Sequence, residues 1–389
     1  MQRVVARPAF TSYFFHNAQW RTQTRFSAKF HPAAPIAPTY KPLEALTAPR
    51  LLKVYTQLAK TRLTVLVVLS AMSSVALSPL PTTLPVLLST AVGTALCSAS
   101  ANTLNQIQEV PFDAQMARTR ARPLVRRAIS PLHATGFAIA TGIAGPALLW
   151  TMVNPTTACL GAANIALYAG AYTWMKRKSI ANTWVGSVVG GLPPLMGWTA
   201  CGGKLLPSAD NPIQLFLPPF LTDGTAPPLD LSLIDNPLSP FTLFMLLYCW
   251  QFPHFNSLSY IVRDSYAQAG YRMLSVFNPP KNALVSLRHA LLLVPVLSIA
   301  APLSGLTTWM FALTSLGPNL ICVRAAWRFW RKGGEKEART VFQHSLWYLP
   351  VMLGLMMFHK QGMEWLEWFG VTKHEEEGKE KKPAAVTAN

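Results

Sequence analysis

The strongest constraint on this 389-residue chain is a succession of long apolar stretches that contain almost no charged side chains. A helix of about 20 such residues can cross the ~30 Å hydrocarbon core of a bilayer. Charged residues make up only 13% of the chain, against roughly 25% in soluble proteins. A single soluble core does not need so many apolar stretches. We therefore predict an all-α, polytopic membrane protein.

Nine ranges of the sequence fit membrane-spanning helices. They are 62–80, 83–107, 132–153, 156–175, 180–201, 240–262, 283–303, 306–325 and 341–360. The membrane domain accordingly occupies 46–370 and includes a long loop at 202–238 that is rich in proline and apolar residues. The tail at 371–389 is charged and low in complexity, which predicts disorder.

Most of the basic residues behind the net charge of +18 lie in the connections between the apolar stretches. Lysine and arginine concentrate in every second connection, whereas the alternate connections are short and nearly uncharged, except for a long one with a single lysine and four aspartates. This alternation is typical of topology determinants in membrane proteins. It argues against nucleic acid as a partner, because the basic residues do not share one soluble face. The amino terminus and the basic loops are therefore predicted to lie on the same side of the membrane.

The first 45 residues have the composition of a mitochondrial presequence. No Asp or Glu precedes Glu44, and arginines alternate with Ser, Thr and aromatic residues. A disordered basic tail without a targeting role is the alternative. A presequence predicts the mitochondrial inner membrane, with the amino terminus and basic loops in the matrix and the carboxyl terminus in the intermembrane space.

Acidic side chains are scarce near the predicted spans, so each of them suggests a function. Between residues 45 and 209 the only carboxylates are Glu109 and Asp113. With Asn105 they form a set spaced by four residues, which brings the three side chains to one helical face. Pro111 is expected to interrupt the helix and bend this face. Oxygen ligands of this kind suit Mg²⁺, which keeps some waters and takes other ligands from phosphate.

Arginines follow these acids directly. Arg118 and Arg122 offer guanidinium groups, which bind phosphate oxygens well. Oxygen ligands for a metal followed by arginines for an anion indicate a metal–diphosphate site. The alternative is an acidic helix end that the following arginines merely neutralise.

Two further clusters lie in the fourth and sixth predicted spans. Tyr172 and Lys176, with Arg177 beside them, could stabilise a departing diphosphate. A positively charged end of a membrane helix is an equally good interpretation of this cluster. In the sixth span, His254 and Asn256 occur in Trp-Gln-Phe-Pro-His-Phe-Asn within an otherwise apolar helix. His254 is interpreted either as a ligand or as a packed, hydrogen-bonded residue.

These motifs resemble the UbiA-type intramembrane prenyltransferases and, within them, the branch that farnesylates protohaem. The resemblance runs from about Leu51 to Lys360. It is carried by Asn105-x-x-x-Glu109-Val-Pro-Phe-Asp113-x-x-Met116-x-Arg118-Thr119-x-x-Arg122-Pro123-Leu124, Tyr172-Thr173-x-x-Lys176-Arg177, Asn182-Thr183-x-x-Gly186, Gly190-x-x-Pro193-Pro194-x-x-Gly197-Trp198 and Trp250-Gln-Phe-Pro-His254-Phe-Asn256.

The resemblance implies nine helices around a central cavity that opens laterally to lipid. It also implies transfer of the farnesyl group of farnesyl diphosphate to a vinyl group of protohaem IX (haem B). The products would be haem O and diphosphate, in a step towards haem A for cytochrome c oxidase. Haem A synthase is then a candidate partner, and the lipid bilayer is the surrounding medium.

The resemblance further implies site residues. Mg²⁺ would be held by Asn105, Glu109, Asp113 and Asp264, and the diphosphate by Arg118, Arg122, Arg177, Lys176 and Tyr172. His254 becomes a candidate for orienting haem or transferring a proton. One position departs from the family pattern, in which an acid directly precedes a tyrosine. Here Ser265 separates Asp264 from Tyr266, which turns the carboxylate by about 100° on a helix.

Two rival functions are considered. Another member of the superfamily would prenylate an aromatic quinone precursor, but Glu109 and the His254 motif favour the protohaem branch. A carrier for an anionic metabolite would use the basic clusters as its binding site. Such carriers usually contain internal repeats, and no convincing duplication is evident in the sequence.

Overall fold

The computed structural model describes residues 47–218, 221 and 235–362. The predicted presequence, the tail at 371–389 and residues 219–220 and 222–234 of the long loop lie outside the described residues. The described helices are α1 (Ala48–Leu58), α2 (Thr61–Leu77), α3 (Leu84–Asp113), α4 (Pro131–Met152), α5 (Pro155–Ile165), α6 (Asn182–Ala200), α7 (Leu238–Ile261), α8 (Arg263–Gln268), α9 (Leu274–Phe277), α10 (Pro279–Pro295), α11 (Met310–Lys332) and α12 (Gly334–Phe358).

Two of these helices continue as π-helical segments. Ala166–Tyr172 follows α5, and Val296–Ala300 follows α10. Each π segment ends in a single helical turn, Thr173–Met175 and Ala301–Leu303 respectively. A π segment widens the helix locally and often marks a functional position. The segment after α5 carries two tyrosines that belong to the candidate site.

Each predicted span coincides with a helix in the described part of the chain. The second is longer than expected, because α3 continues through Pro111 to Asp113. By length and hydropathy, four helical stretches could each cross a membrane: Leu84–Asp113, Pro131–Met152, Pro279–Leu303 and Gly334–Phe358. The pair α1–α2, bent by 56°, could be a fifth. The helical class is confirmed, and the count of nine spans stays a prediction.

Local sequence fixes where several helices begin. Three of them start with a polar residue followed by proline, namely Ser130–Pro131, Asn154–Pro155 and Asn278–Pro279. Each polar side chain accepts a hydrogen bond from the backbone N–H three residues later. This bond satisfies a donor that the first helical turn leaves free, and proline supplies the helical φ without needing one. These helix starts are therefore favoured by the local sequence.

Glycines allow the helices to approach each other closely. A Cβ atom on Gly197 of α6 would lie 2.0 Å from the carbonyl oxygen of Ala71 in α2. A Cβ atom on Gly145 of α4 would lie 2.9 Å from the backbone nitrogen of Cys97 in α3. Small residues have this role in membrane proteins, where packing rather than water exclusion holds helices together. The contacts bring α2, α3, α4 and α6 into one bundle.

Apolar side chains cover the outside of this bundle. Leu66 of α2, Ile143 of α4, and Leu313 and Leu320 of α11 are all exposed. Soluble monomers rarely leave such residues on several faces of the molecule. Lipid is the environment that suits this surface.

We predict that Gly197→Ala destabilises the protein, because its added Cβ atom meets helix backbone rather than a flexible side chain. Overpacking of this kind typically lowers the free energy of unfolding by about 1–3 kcal/mol. The matched control is Gly136→Ala in α4, where a Cβ atom would meet nothing within 4 Å. Thermal unfolding in detergent checks both variants. Equal melting temperatures for Gly197→Ala and wild type would contradict the close packing of α2 on α6.

Candidate active site

The carboxyl-terminal half of α3 presents three buried polar side chains on one face. Asn105, Glu109 and Asp113 expose only 0%, 4% and 2% of their surface. The four-residue spacing produces this alignment, and α3 stays helical past Pro111. Two carboxylates are thus withdrawn from solvent within one helix. Burial of this kind requires compensating positive charge.

Cations from two other segments compensate these carboxylates. Lys176 lies just beyond the α5 extension, which comprises the π segment Ala166–Tyr172 and the turn Thr173–Met175. Its Nζ atom is 2.7 Å from Oε1 of Glu109. Arg122, in the connection between α3 and α4, forms an ion pair with Asp113. The Nη1 atom of Arg122 also lies 3.5 Å from Oε2 of Glu109. Glu109 is therefore shared between a lysine and an arginine.

Lys60 brings a third cation to the same face. Its Nζ atom donates to Oδ1 of Asn105 over 2.8 Å and lies 3.4 Å from the hydroxyl of Tyr168. Among the described residues, no carboxylate lies within ion-pair distance of this ammonium group. The backbone of Lys60 has a left-handed φ of 49°, which is uncommon for a residue with a Cβ atom. Lys60 is thus a half-buried amine whose hydrogen-bond partners are both neutral groups.

Tyrosines of the π segment line this cluster. The Nζ atom of Lys176 lies 4.6 Å from the ring centroid of Tyr172. The ring of Tyr172 packs against Gly186 of α6, where a Cβ atom would come within 2.8 Å of it. Thr173 accepts a hydrogen bond from Nδ2 of Asn105 over 3.1 Å. The α5 extension therefore fixes both the amide of Asn105 and the cation that neutralises Glu109.

The charges in this cluster shift the pKa values of its lysines in opposite directions. Burial opposes the charged form of Lys176, but the adjacent Glu109 carboxylate raises its pKa well above the usual value. Burial, followed by the repulsion of Arg122 and Lys176, lowers the pKa of Lys60 to about 7. Lys176 therefore stays charged at neutral pH. Lys60 lacks the carboxylate partner that would hold its proton as firmly.

The structure leaves three predicted residues outside the cluster. Arg118 is exposed and makes no ion pair with these acids in the described part of the chain. Arg177 stacks on Phe112, with its guanidinium carbon 4.8 Å from the ring centroid. Asp264 is exposed over 89% of its side chain and faces Arg263 at 3.7 Å. Asp264 lies one position earlier than the acid of the family pattern, and its side chain points away from the cluster.

His254 lies at the contact between α7 and α12, away from the acidic cluster. Its Nδ1 atom is 2.9 Å from Oγ of Ser345 in α12, and its ring stacks on Trp250. The next residue, Phe255, packs on an apolar cluster that includes Tyr271 and also supports Phe112. His254 therefore contacts α12 and not the acidic residues. Its helix, α7, contributes Phe255 to the apolar cluster that Phe112 also contacts.

The donor set fits a divalent cation that prefers oxygen. Within residues 47–218 and 235–362, no three His, Cys, Asp or Glu side chains converge as a metal cluster would require. Two carboxylates and one amide oxygen do share a face. Mg²⁺ commonly has one or two carboxylate ligands and completes its shell with water and phosphate. Asn105, Glu109 and Asp113 could hold such an ion together with a phosphorylated ligand.

Two members of this cluster escaped the sequence analysis. In the sequence, Lys60 is one of many basic residues beside a predicted span. Tyr168 precedes Tyr172 by four residues, a spacing that could have placed both on one face. No sequence signal separates Lys60 from an ordinary topology determinant, because its role depends on contacts with α3 and the α5 extension.

Comparison with known proteins identifies a family that includes this chain. The sequence profile of the UbiA prenyltransferase family matches residues 64–347. The chain belongs to the UbiA prenyltransferase family. This confirms the resemblance inferred from the motifs. Most of α2 and all of the cluster except Lys60 fall inside the matched range.

Several relatives of this UbiA-family chain carry one name, "Protoheme IX farnesyltransferase, mitochondrial". The relative from Neurospora crassa is 45% identical over 338 residues, which cover 82% of this chain and 63% of that protein. The one from Yarrowia lipolytica is 46% identical, covering 82% and 64%. The one from Homo sapiens is 44% identical, covering 78% and 62%. The chain thus spans less than two thirds of the length of these relatives.

Solved structures share the fold of this UbiA-family chain at low sequence identity. A digeranylgeranylglyceryl phosphate synthase aligns with a TM-score of 0.58 at 15% identity, covering 79% of this chain and 98% of that one. A UbiA homologue from Archaeoglobus fulgidus bound to GPP and Mg²⁺ aligns with a TM-score of 0.53 at 12% identity, covering 78% and 99%. These similarities establish a common helical architecture.

We predict that Lys176→Met destabilises the protein, because it leaves Glu109 buried beside only the more distant Arg122. Removing one partner of a buried ion pair typically costs about 3–5 kcal/mol. The double variant Lys176→Met/Glu109→Gln should recover most of this loss, since no unpaired carboxylate remains. Chemical or thermal unfolding in detergent measures the three free energies of unfolding.

The exposed neighbour Lys178→Met is the matched control and should unfold like wild type. Losses that simply add in the double variant would show that Lys176 and Glu109 do not interact.

Proposed function

We propose that this protein transfers the farnesyl group of farnesyl diphosphate to a vinyl group of protohaem IX, giving haem O and diphosphate. The observation that carries the proposal is the buried face of Asn105, Glu109 and Asp113, with Lys60, Arg122 and Lys176 bonded to it. The family supports prenyl transfer as the reaction class. The common name of the relatives supports protohaem as the acceptor.

The cations of the cluster would act on the diphosphate. Lys176 and Arg122 are held by carboxylates, and Lys60 by an amide and a phenol. A diphosphate entering this face offers charged acceptors to all three, and for Lys60 these are stronger than its present neutral partners. Positive charge fixed in advance stabilises the leaving group as its negative charge develops. The hydroxyl of Tyr172, beside Lys176, would donate a further hydrogen bond.

Asn105, Glu109 and Asp113 would hold Mg²⁺, which supplies additional charge neutralisation to the diphosphate when it is bound. The chemical step breaks the bond between C1 of the farnesyl group and the diphosphate oxygen, which keeps the electron pair. The terminal carbon of a protohaem vinyl group then bonds to C1. Water adds to the resulting cation next to the macrocycle and loses a proton, which leaves a hydroxyl group there.

The proposed setting is the mitochondrial inner membrane, with nine spans around a central cavity and the cluster at the matrix side. The cluster joins the segment before α2, the end of α3 and the end of the α5 extension, which all lie at one end of the bundle. The basic connections predicted to face the matrix lie at the same end. Haem A synthase is proposed as a partner because it would consume the product.

An acceptor assay tests the function. We expect the purified full-length chain in lipid nanodiscs to form haem O from farnesyl diphosphate and haem B, with Mg²⁺ required. Under the same conditions it should leave 4-hydroxybenzoate unmodified. Product analysis by mass spectrometry distinguishes the two acceptors. Prenylation of 4-hydroxybenzoate without any haem O would favour the quinone-forming branch instead.

We predict that Asp113→Ala lowers the rate of haem O formation by a factor of about 10² or more, the usual loss when one preorganised electrostatic group is removed. Membrane insertion should remain intact, which proteolytic mapping of the loops can check. The matched control Glu335→Ala removes an exposed acid at the start of α12 and should retain turnover. Wild-type turnover in Asp113→Ala with Mg²⁺ still required would overturn the site assignment.

Asp264 provides a separate prediction. Because its side chain is 89% exposed and faces Arg263, Asp264→Asn should keep the rate of haem O formation and its Mg²⁺ dependence within about twofold of wild type, a surface effect of at most ~0.5 kcal/mol. Steady-state rates over a Mg²⁺ titration measure this. A strong rise in the Mg²⁺ concentration for half-maximal rate would instead place Asp264 among the metal ligands.

A further inference from the structure

A hydrogen-bond chain at the contact between α7 and α12 fixes the protons of His254. The Nδ1 atom of His254 lies 2.9 Å from Oγ of Ser345. The same Ser345 hydroxyl donates to the carbonyl oxygen of Phe342 over 2.6 Å. A serine hydroxyl carries a single proton, and this one is committed to the carbonyl. Ser345 must therefore accept from His254, which places the imidazole proton on Nδ1.

This tautomer leaves a lone pair on Nε2 of His254. The imidazole is held in orientation by Trp250, whose ring centroid lies 4.8 Å away, and by Phe342 at 5.1 Å. Trp250 is itself anchored, since its Nε1–H donates to the carbonyl oxygen of Ser345 over 2.9 Å. In the part of the chain that the structure describes, no residue hydrogen-bonds to Nε2. The residue is half-buried, and Nε2 does not belong to the fully buried side-chain atoms that lack a partner, so it is accessible to a ligand.

The neighbouring histidines are arranged differently. His344 accepts a hydrogen bond at Nδ1 from the indole N–H of Trp347 over 3.1 Å, so its proton lies on Nε2. His289 donates from Nδ1 to the carbonyl of Val285 in its own helix, and its ring stacks closely on Phe252, with centroids 3.5 Å apart. Of these histidines, only His254 has Nδ1 bound to a second helix and Nε2 left as an acceptor.

We propose that Nε2 of His254 ligates the iron of the protohaem substrate, with Ser345 and Trp250 as positioning residues. This inference rests on the proposed function. A metal-bound histidine usually donates its other ring N–H to an acceptor that fixes tautomer and orientation, as His254 does to Ser345. A neutral imidazole is the common protein ligand of haem iron. Ligation occupies the lone pair, so His254 does not act as a proton acceptor in the transfer step.

The location of His254 suits an anchor for the acceptor. The following residue, Phe255, packs on the apolar cluster that also supports Phe112, the neighbour of Asp113. A haem held through its iron on α7 would therefore be attached to the helix that borders the diphosphate site. Fixing the iron would also limit the positions in which the vinyl groups face the isoprenoid.

Haem binding without isoprenoid tests the inference. The full-length protein in nanodiscs is titrated with ferric haem B, and the Soret band and the EPR spectrum report the axial ligand. Wild type should give a histidine-ligated spectrum. His254→Gly should lose it and bind haem at least tenfold more weakly, and added imidazole should restore the spectrum. His254→Gln, which retains a donor towards Ser345, should also lose the spectrum while the protein stays folded.

The positioning role and the controls use paired variants. Ser345→Ala should weaken haem binding and alter the spectrum, whereas Ser345→Thr, which keeps the hydroxyl, should resemble wild type. His344→Gln is the matched control in the same helix contact, and His289→Gln tests the other histidine with a free Nε2. Both should retain the wild-type spectrum.

The outcomes separate this inference from the proposed function. The assignment of His254 is overturned if His254→Gln keeps the histidine-ligated spectrum, or if only His289→Gln loses that spectrum. This holds even if the wild-type protein makes haem O. Formation of haem O at the wild-type rate by His254→Gln would also overturn it. Failure of the wild-type protein to bind haem or make haem O overturns the proposed function itself.

Discussion

The structure depends on two carboxylates buried on one face of α3 and on the cations that compensate them. Glu109 and Asp113 are almost inaccessible, and an unpaired charge in such a place is very costly. Arg122 from the α3–α4 connection and Lys176 from the end of the α5 extension neutralise them. The same bonds that make burial possible therefore hold three chain segments together at one end of the bundle.

This arrangement is suited to an exchange of partners. Lys60, Arg122 and Lys176 surround two carboxylates, so the cluster carries one excess positive charge when Lys60 is protonated. A diphosphate with its divalent cation could transfer the bonds of the cations to phosphate oxygens and those of the carboxylates to the metal. No group would then be left buried and unpaired. A site that is fully bonded before and after binding avoids the penalty that would otherwise oppose substrate entry.

The sequence predicted the helices and the acidic face well, because both follow from short-range periodicity. The spacing of Asn105, Glu109 and Asp113 determines a shared face once α3 is helical. Lys176 lies at a helix end as predicted, but its ion pair with Glu109 was not predicted. The α3–α4 connection was harder, since it is irregular. Arg118 and Arg122 looked equivalent in sequence, yet only Arg122 turns towards the acids.

Contacts between residues far apart in the sequence were not predicted. Lys60 reaches Asn105 across 45 residues, and its sequence surroundings are those of any lysine beside a predicted span. The proton arrangement of His254 depends on Ser345, 91 residues away. Asp264 shows the opposite problem. The family pattern predicted a metal ligand there, but Asp264 lies one position earlier than that pattern and its side chain points outward. Tertiary packing decides these cases, and a single sequence does not encode it in any local pattern.

The central claim is that the α3 face holds a divalent cation together with an isoprenoid diphosphate. Electron–nuclear double resonance with Mn²⁺ in place of Mg²⁺ and a non-hydrolysable farnesyl thiodiphosphate measures this directly. The account predicts ³¹P hyperfine coupling to the bound Mn²⁺ in the wild-type protein and its loss in Glu109→Gln. Mn²⁺ that shows no ³¹P coupling in wild type, or the same coupling in Glu109→Gln, would contradict it.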